Sequence, residues 1–136
     1  ICPIGSAINF DYSVDVKLTE SAPGTTANLL FSFAGNDYYA FTVSANGKFG
    51  LIKSSDGQEQ MLIGWTPINN EFKPDGWNRM EVVVDRQLIG LYLNSELLGE
   101  YRDVVFTGGK VGLGVTMYQN GTAVVDFDNL KFRRKP

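Results

Sequence analysis

The sequence predicts an all-β fold, an antiparallel β-sandwich of the jelly-roll kind made of two packed sheets. Three observations carry that reading. Apolar residues recur at every second position through most of the chain, turn residues separate the runs, and no apolar stripe of helical period reaches useful length. Fifteen glycines against three methionines favour turns and sheet in the same way.

Each run can be justified in order. "DYSVDVKLTE" sets Tyr12, Val14, Val16 and Leu18 on one face and Asp11, Ser13, Asp15 and Lys17 on the other, the pattern of a half-buried strand. "ANLLFSFAG" repeats it with Leu29, Phe31 and Phe33. "DYYAFTVSANGKFGLIKSS" predicts a hairpin: Tyr39, Phe41 and Val43 point one way, Asn46-Gly47 turns the chain, and Phe49 and Leu51 resume. "EQMLIGW" supplies a further strand. "WNRMEVVVDRQLIGLYLNSELLGEYRD" then alternates through Met80, Val82 and Val84 and again through Ile89, Leu91 and Leu93, with a polar turn at Asp85-Arg86-Gln87 and another at Asn94-Ser95-Glu96. "KVGLGVTMY" and "TAVVDFDNLKF" complete about nine strands. The turns between them include Pro23-Gly24, Ser55-Asp56-Gly57, Asp75-Gly76 and Gly108-Gly109.

A chain of 136 residues suits one domain, large enough to bury roughly 70% of its unfolded surface. The domain is read as residues 1–132, with 133–136 a basic tail or linker. That ending carries Lys131, Arg133, Arg134 and Lys135, so the net charge of −3 leaves residues 1–130 with 8 basic against 15 acidic side chains. Such a body repels nucleic acid. No window has the apolar length of a membrane span, and the N-terminus lacks the layout of a signal peptide. The expectation is therefore a soluble domain cut from something longer, with no membrane insertion.

The absence of histidine removes the commonest general base and the commonest metal ligand together. Cys2, the single cysteine, has no partner for an intrachain disulfide and no histidine to activate it, and reads as an incidental small apolar residue. Catalysis thus lacks its usual parts, and a flat β-surface is left to do its work by binding.

The strings "NDYYAFTVSANGKFGLIK", "GWNRMEVVVDRQLIGLYLNSELLGEY", "FTGGKVGLGV" and "VVDFDNLKF" resemble the concanavalin A-like lectin and glucanase sandwiches, in the branch with laminin-G-like and 3-keto-disaccharide-hydrolase-like domains. The resemblance spans residues 9–132 and rests on strands and turns. It implies a non-catalytic module recognising an oligosaccharide or polysaccharide, extracellular or at the cell surface. Two other functions stay open: a protein-interaction or sensory ectodomain pairing along an edge strand, and a hydrolase-like domain. Glucanases of this architecture carry Glu-x-Asp-x-x-Glu, which sets acid and nucleophile about 5 Å apart. This chain has no such pattern. Its nearest approach is Asp126-Phe127-Asp128, two carboxylates on one strand face roughly 6 to 7 Å apart.

Asp126 and Asp128 read as a solvated strand face, as ligands of a structural calcium completed by carbonyls and by Asp11 or Asp15, or, third, as catalytic carboxylates. No cofactor is required. The apolar phase shifts between Val125-Phe127 and Leu130-Phe132, which predicts a bulge near Asp128-Asn129. Sugar recognition needs aromatic rings for stacking and planar polar groups for hydroxyls. Tyr38, Arg79, Tyr92 and Tyr118 fall opposite the core series and so belong to wet faces, and Trp65 is either core or a loop platform. Those five residues are the expected ligand contacts. "NGT" at Asn120 matches a glycosylation acceptor, although a plain turn accounts for Asn-Gly equally well.

Overall fold

The computed structural model describes residues 9–19, 25–34, 36–69, 72–73, 76–85, 87–103, 111–116 and 124–135. Ten strands and no helix are found among them: β1 (Asn9–Thr19), β2 (Thr26–Ala34), β3 (Asp37–Ser44), β4 (Lys48–Ser55), β5 (Gln58–Pro67), β6 (Trp77–Asp85), β7 (Leu88–Leu93), β8 (Glu96–Arg102), β9 (Gly112–Thr116) and β10 (Val124–Lys135). They form two five-stranded sheets, ordered β10-β1-β6-β7-β8 and β5-β4-β3-β2-β9, and every ladder is antiparallel. The predicted sandwich is the observed one.

Alternation explains the core. Phe10, Tyr12, Val14, Val16 and Leu18 of β1 face inward with Met80, Val82 and Val84 of β6 and Ile89, Leu91 and Leu93 of β7; all are buried. From the other sheet come Leu29 and Phe31 of β2, Tyr39, Phe41 and Val43 of β3, and Phe49 and Leu51 of β4. Two core phenols keep their hydroxyls satisfied by reaching across the sandwich. Tyr12 donates to the Gly112 carbonyl at 2.9 Å, and Tyr39 donates to Asp103 Oδ2 at 2.8 Å. Lys53 joins the same carboxylate at 2.9 Å, so Asp103 ties β3 and β4 to the end of β8. Burial pushes the Tyr12 phenol up to about 12, and it pushes Tyr39 further, with the Asp103 carboxylate adding to the effect.

The tight turns fall where the sequence puts them. Gly47 (φ 82°) closes the β3–β4 hairpin, while Asp56 (φ 54°) and Gly57 (φ 77°) close β4–β5. Asn94 (φ 51°) and Ser95 (φ 72°) turn β7 into β8, two consecutive left-handed residues as a hairpin of this twist requires. The predicted bulge is present in β10. Ser13 pairs with Lys131 and Asp15 with Asp128, leaving one extra β10 residue opposite Val14, and Asn129 takes φ 54°.

The last strand runs past the domain end expected at residue 132: β10 continues to Lys135, pairing Arg133 with Asp11, Arg134 with Phe10 and Lys135 with Asn9. The physical reason is alternation: Phe132 turns inward against Phe10, with ring centroids 5.2 Å apart, and Arg133 turns outward to Asp11 at 3.0 Å. Cys2, Tyr118, Asn120 and the Pro23-Gly24 and Gly108-Gly109 turns lie outside the described residues.

Candidate functional site

Parity places the expected contacts on opposite sides of the molecule. Tyr38, next to inward Tyr39, stands on the outer face of the β5-β4-β3-β2-β9 sheet, and the β4–β5 register puts Trp65 and Met61 on that side near Gly50. Trp65 is neither core nor loop; it lies on edge strand β5 and is 40% exposed. Arg79 and Tyr92 belong to the outer face of the other sheet. The four of these residues that the structure describes therefore divide between two faces, Tyr38 with Trp65 and Arg79 with Tyr92, and the two faces have to be weighed separately.

The face bearing Tyr38 has a floor of small residues: Ala40, Thr42, Ser44, Gly50 and Ser54 are all buried. Its hydroxyls are committed inside the fold. Thr42 donates to the Gly50 carbonyl, and Ser44 is bonded to Asn46 and to Lys48. Met61 leans over Gly50, where an added Cβ would meet its methyl group at 2.7 Å.

The opposite face is richer in groups that can meet a ligand. A recess of about 270 Å³ is lined by Asp15 of β1, Trp77 and Arg79 of β6, and Asn94 and Ser95 of the β7–β8 turn. Trp77 opens β6, shares the outward parity of Arg79 and is 44% exposed. Lys17, its cross-strand partner, holds its ammonium 6.0 Å from the indole centroid. Tyr92 stands next along the face, opposite Glu81, with its ring lying over Gly90. A Cβ there would meet the Tyr92 ring at 3.2 Å, so the glycine lets the tyrosine rest flat against the sheet.

Arg79 is fixed at both ends. Its backbone amide donates to Asn94 Oδ1 at 2.8 Å and its carbonyl accepts from Asn94 N at 2.9 Å. Its Nε donates to Asp15 Oδ1 at 3.0 Å. The other Asp15 oxygen accepts from Asn129 Nδ2 at 2.7 Å, so the β10 bulge delivers the amide that completes this carboxylate. Burial pushes the Asp15 carboxyl up, but the bonds from Asn129 and Arg79 and the charges of Arg79 and Lys131 outweigh it and hold it below its ordinary 3.8. Sequence reasoning named Arg79 and Tyr92 here and passed over Trp77, Asn94 and Asp15 as ligand contacts. Parity with Arg79 was signal enough to expose Trp77.

Asp126 and Asp128 also look outward, opposite Lys17 and Asp15 across the β1–β10 ladder. Among the described residues no three His, Cys, Asp or Glu side chains converge as a metal group. Asp15 has both oxygens taken by donors from Arg79 and Asn129, and Asp128 Oδ1 accepts from Asn129 N. Asp15, one of the two acids expected to complete a calcium site, thus already has both carboxylate oxygens engaged by protein donors.

No protein-family model matches the chain, and neither does any curated protein. Solved structures do match. The carbohydrate-binding module CBM66 of Bacillus subtilis superposes with a TM-score of 0.75 at 18% identity, covering 93% of this chain and 75% of that one. Sheep galectin-11, solved with glycerol, gives 0.64 at 12%, covering 94% and 92%. A GH43 protein of Bacillus licheniformis gives 0.63 at 18%, covering 91% of this chain but 27% of that longer one. The fold is the concanavalin A-like sandwich. At these identities the likeness establishes fold, and what the chain binds has to be argued from its own surface.

Proposed function

We propose that this domain is a non-catalytic glycan-recognition module of a larger extracellular protein, and that it binds through the outer face of the β10-β1-β6-β7-β8 sheet. The observation that carries the proposal is the recess in which an exposed indole, Trp77, adjoins a positioned guanidinium, Arg79, with Asn94 and Ser95 on its rim. Aromatic faces stack on the apolar faces of sugar rings, and planar polar groups bond the hydroxyls. Tyr92 extends the surface beyond one ring. That a solved carbohydrate-binding module shares the fold supports the reading. The non-catalytic part rests on the missing histidine and on carboxylates that keep Arg79 and Asn129 company rather than facing each other across a cleft.

Calorimetry against a panel of oligosaccharides tests it. The wild type should bind at least one glycan, and Trp77→Ala and Tyr92→Ala should each weaken binding several-fold while Tyr38→Ala and Trp65→Ala leave it unchanged. The reverse pattern would move the site to the other sheet. A second reading, a protein partner adding a strand along β5, is favoured by that edge strand's exposed Met61 and Trp65. It takes over if no glycan binds.

A further inference from the structure

Resting on the glycan reading above, we infer that the sugar held in the Trp77–Arg79 recess carries a carboxylate, so that the ligand class is uronic-acid-containing oligosaccharide. What the arginine can bind depends on which edge of its guanidinium is already spent. Asp15 takes Nε alone, at 3.0 Å. Among the described residues neither terminal nitrogen of Arg79 has a hydrogen-bond partner, and the side chain is 49% exposed. The free edge therefore presents two parallel N–H donors to solvent beside the indole. Two parallel donors match the two oxygens of a carboxylate and bind it bidentately, which a hydroxyl cannot reciprocate.

The surroundings hold that edge in place. Asn94 pins the Arg79 backbone in both directions, and Asn129 pins Asp15, so the arginine loses little freedom on binding. A recess of about 270 Å³ accommodates a single ring. A pyranose stacked on Trp77 would hold its carboxylate toward Arg79, with Lys17 as a second cation above the same indole. A further recess of about 280 Å³, lined by Asp11, Ser13, Glu81, Lys131 and Arg133, continues along the face and offers Lys131 to the next residue of an oligomer. Asp126, Asp128 and Glu81 share this face, so it attracts no anion by field alone. Selection comes from the placed guanidinium.

The test is calorimetry with oligogalacturonate, oligomannuronate and hyaluronan oligomers, each beside its carboxyl-methyl-esterified counterpart, which keeps the ring and removes the charge. At least one acid oligomer should bind tenfold or more tighter than its ester, and Arg79→Gln should erase that difference. Because Arg79→Gln also frees Asp15, Lys17→Gln serves as a second variant that leaves the Asp15 bonds alone and should reduce the difference, and added salt should weaken only the acid form. Equal binding of acid and ester, or tight binding only to a sulfated, carboxylate-free oligomer, overturns the inference and leaves the glycan reading standing. Binding of neither acid nor neutral glycans overturns both.

Discussion

Trp77 and Phe41 are both aromatic residues on strands, yet replacing them should have opposite consequences. Phe41 is fully buried between the sheets, so Phe41→Ala should cost about 3–5 kcal/mol of stability through lost transfer energy and a cavity. Trp77 is 44% exposed, and Trp77→Ala should leave the urea midpoint nearly unchanged while weakening ligand binding. Asp15 has a different signature. Its folded-state carboxyl lies below 3.8, so its contribution is present above that pH and is lost as pH falls through the folded value. Asp15→Asn should lower stability at neutral pH and flatten the acid limb below about pH 4. Equal acid limbs for the two proteins would show that Asp15 is not favourably paired. Single-residue parity is also where the sequence was most legible: it assigned Tyr38, Arg79 and Tyr92 to outer faces correctly. It could not say that the faces were different ones, because parity distinguishes inside from outside within one strand and carries no information on which sheet the strand joins.

Among the elements, β10 teaches most. Its bulge was legible in the phase change between Phe127 and Leu130, and the structure adds its purpose, since the extra residue swings Asn129 onto Asp15. Asn129 sits at φ 54°, where asparagine and glycine are tolerated and β-branched residues are strained. Asn129→Val should therefore cost about 1–2 kcal/mol, and Asn129→Gly less, as read from urea midpoints. The extension of β10 through Arg133 was not legible, because four nearby basic residues look like a solvated ending until a partner strand with Asp11 at the matching position is known. The strand β8 was hard to read for a related reason: a register shift between Leu91 and Tyr92 breaks the alternation of Leu97, Leu98 and Tyr101. Since Asp15 is already satisfied and no third carboxylate joins Asp126 and Asp128 among the described residues, melting curves with chelator and with added calcium should coincide. A chelator-sensitive melting temperature would show a cation that this arrangement does not account for.

At the scale of the molecule, two phenols act as ties between the sheets, and alkali should find them. The buried Tyr12 and Tyr39 have folded-state values raised above the ordinary 10.0, so the stability they lend is complete below pH 10 and is lost as pH rises through the folded values. Of the six tyrosines, these two should form phenolate only as the sandwich unfolds, which ultraviolet titration beside circular dichroism can follow. The two faces thus share one rigid core, and a substitution on one should not disturb the other. That independence makes the central claim directly measurable. Calorimetry with the best-binding oligosaccharide should show affinity reduced several-fold in Trp77→Ala and Arg79→Gln and unchanged in Tyr38→Ala and Trp65→Ala, all four remaining folded. Loss of affinity in Tyr38→Ala or Trp65→Ala with Trp77→Ala and Arg79→Gln unaffected would contradict the account.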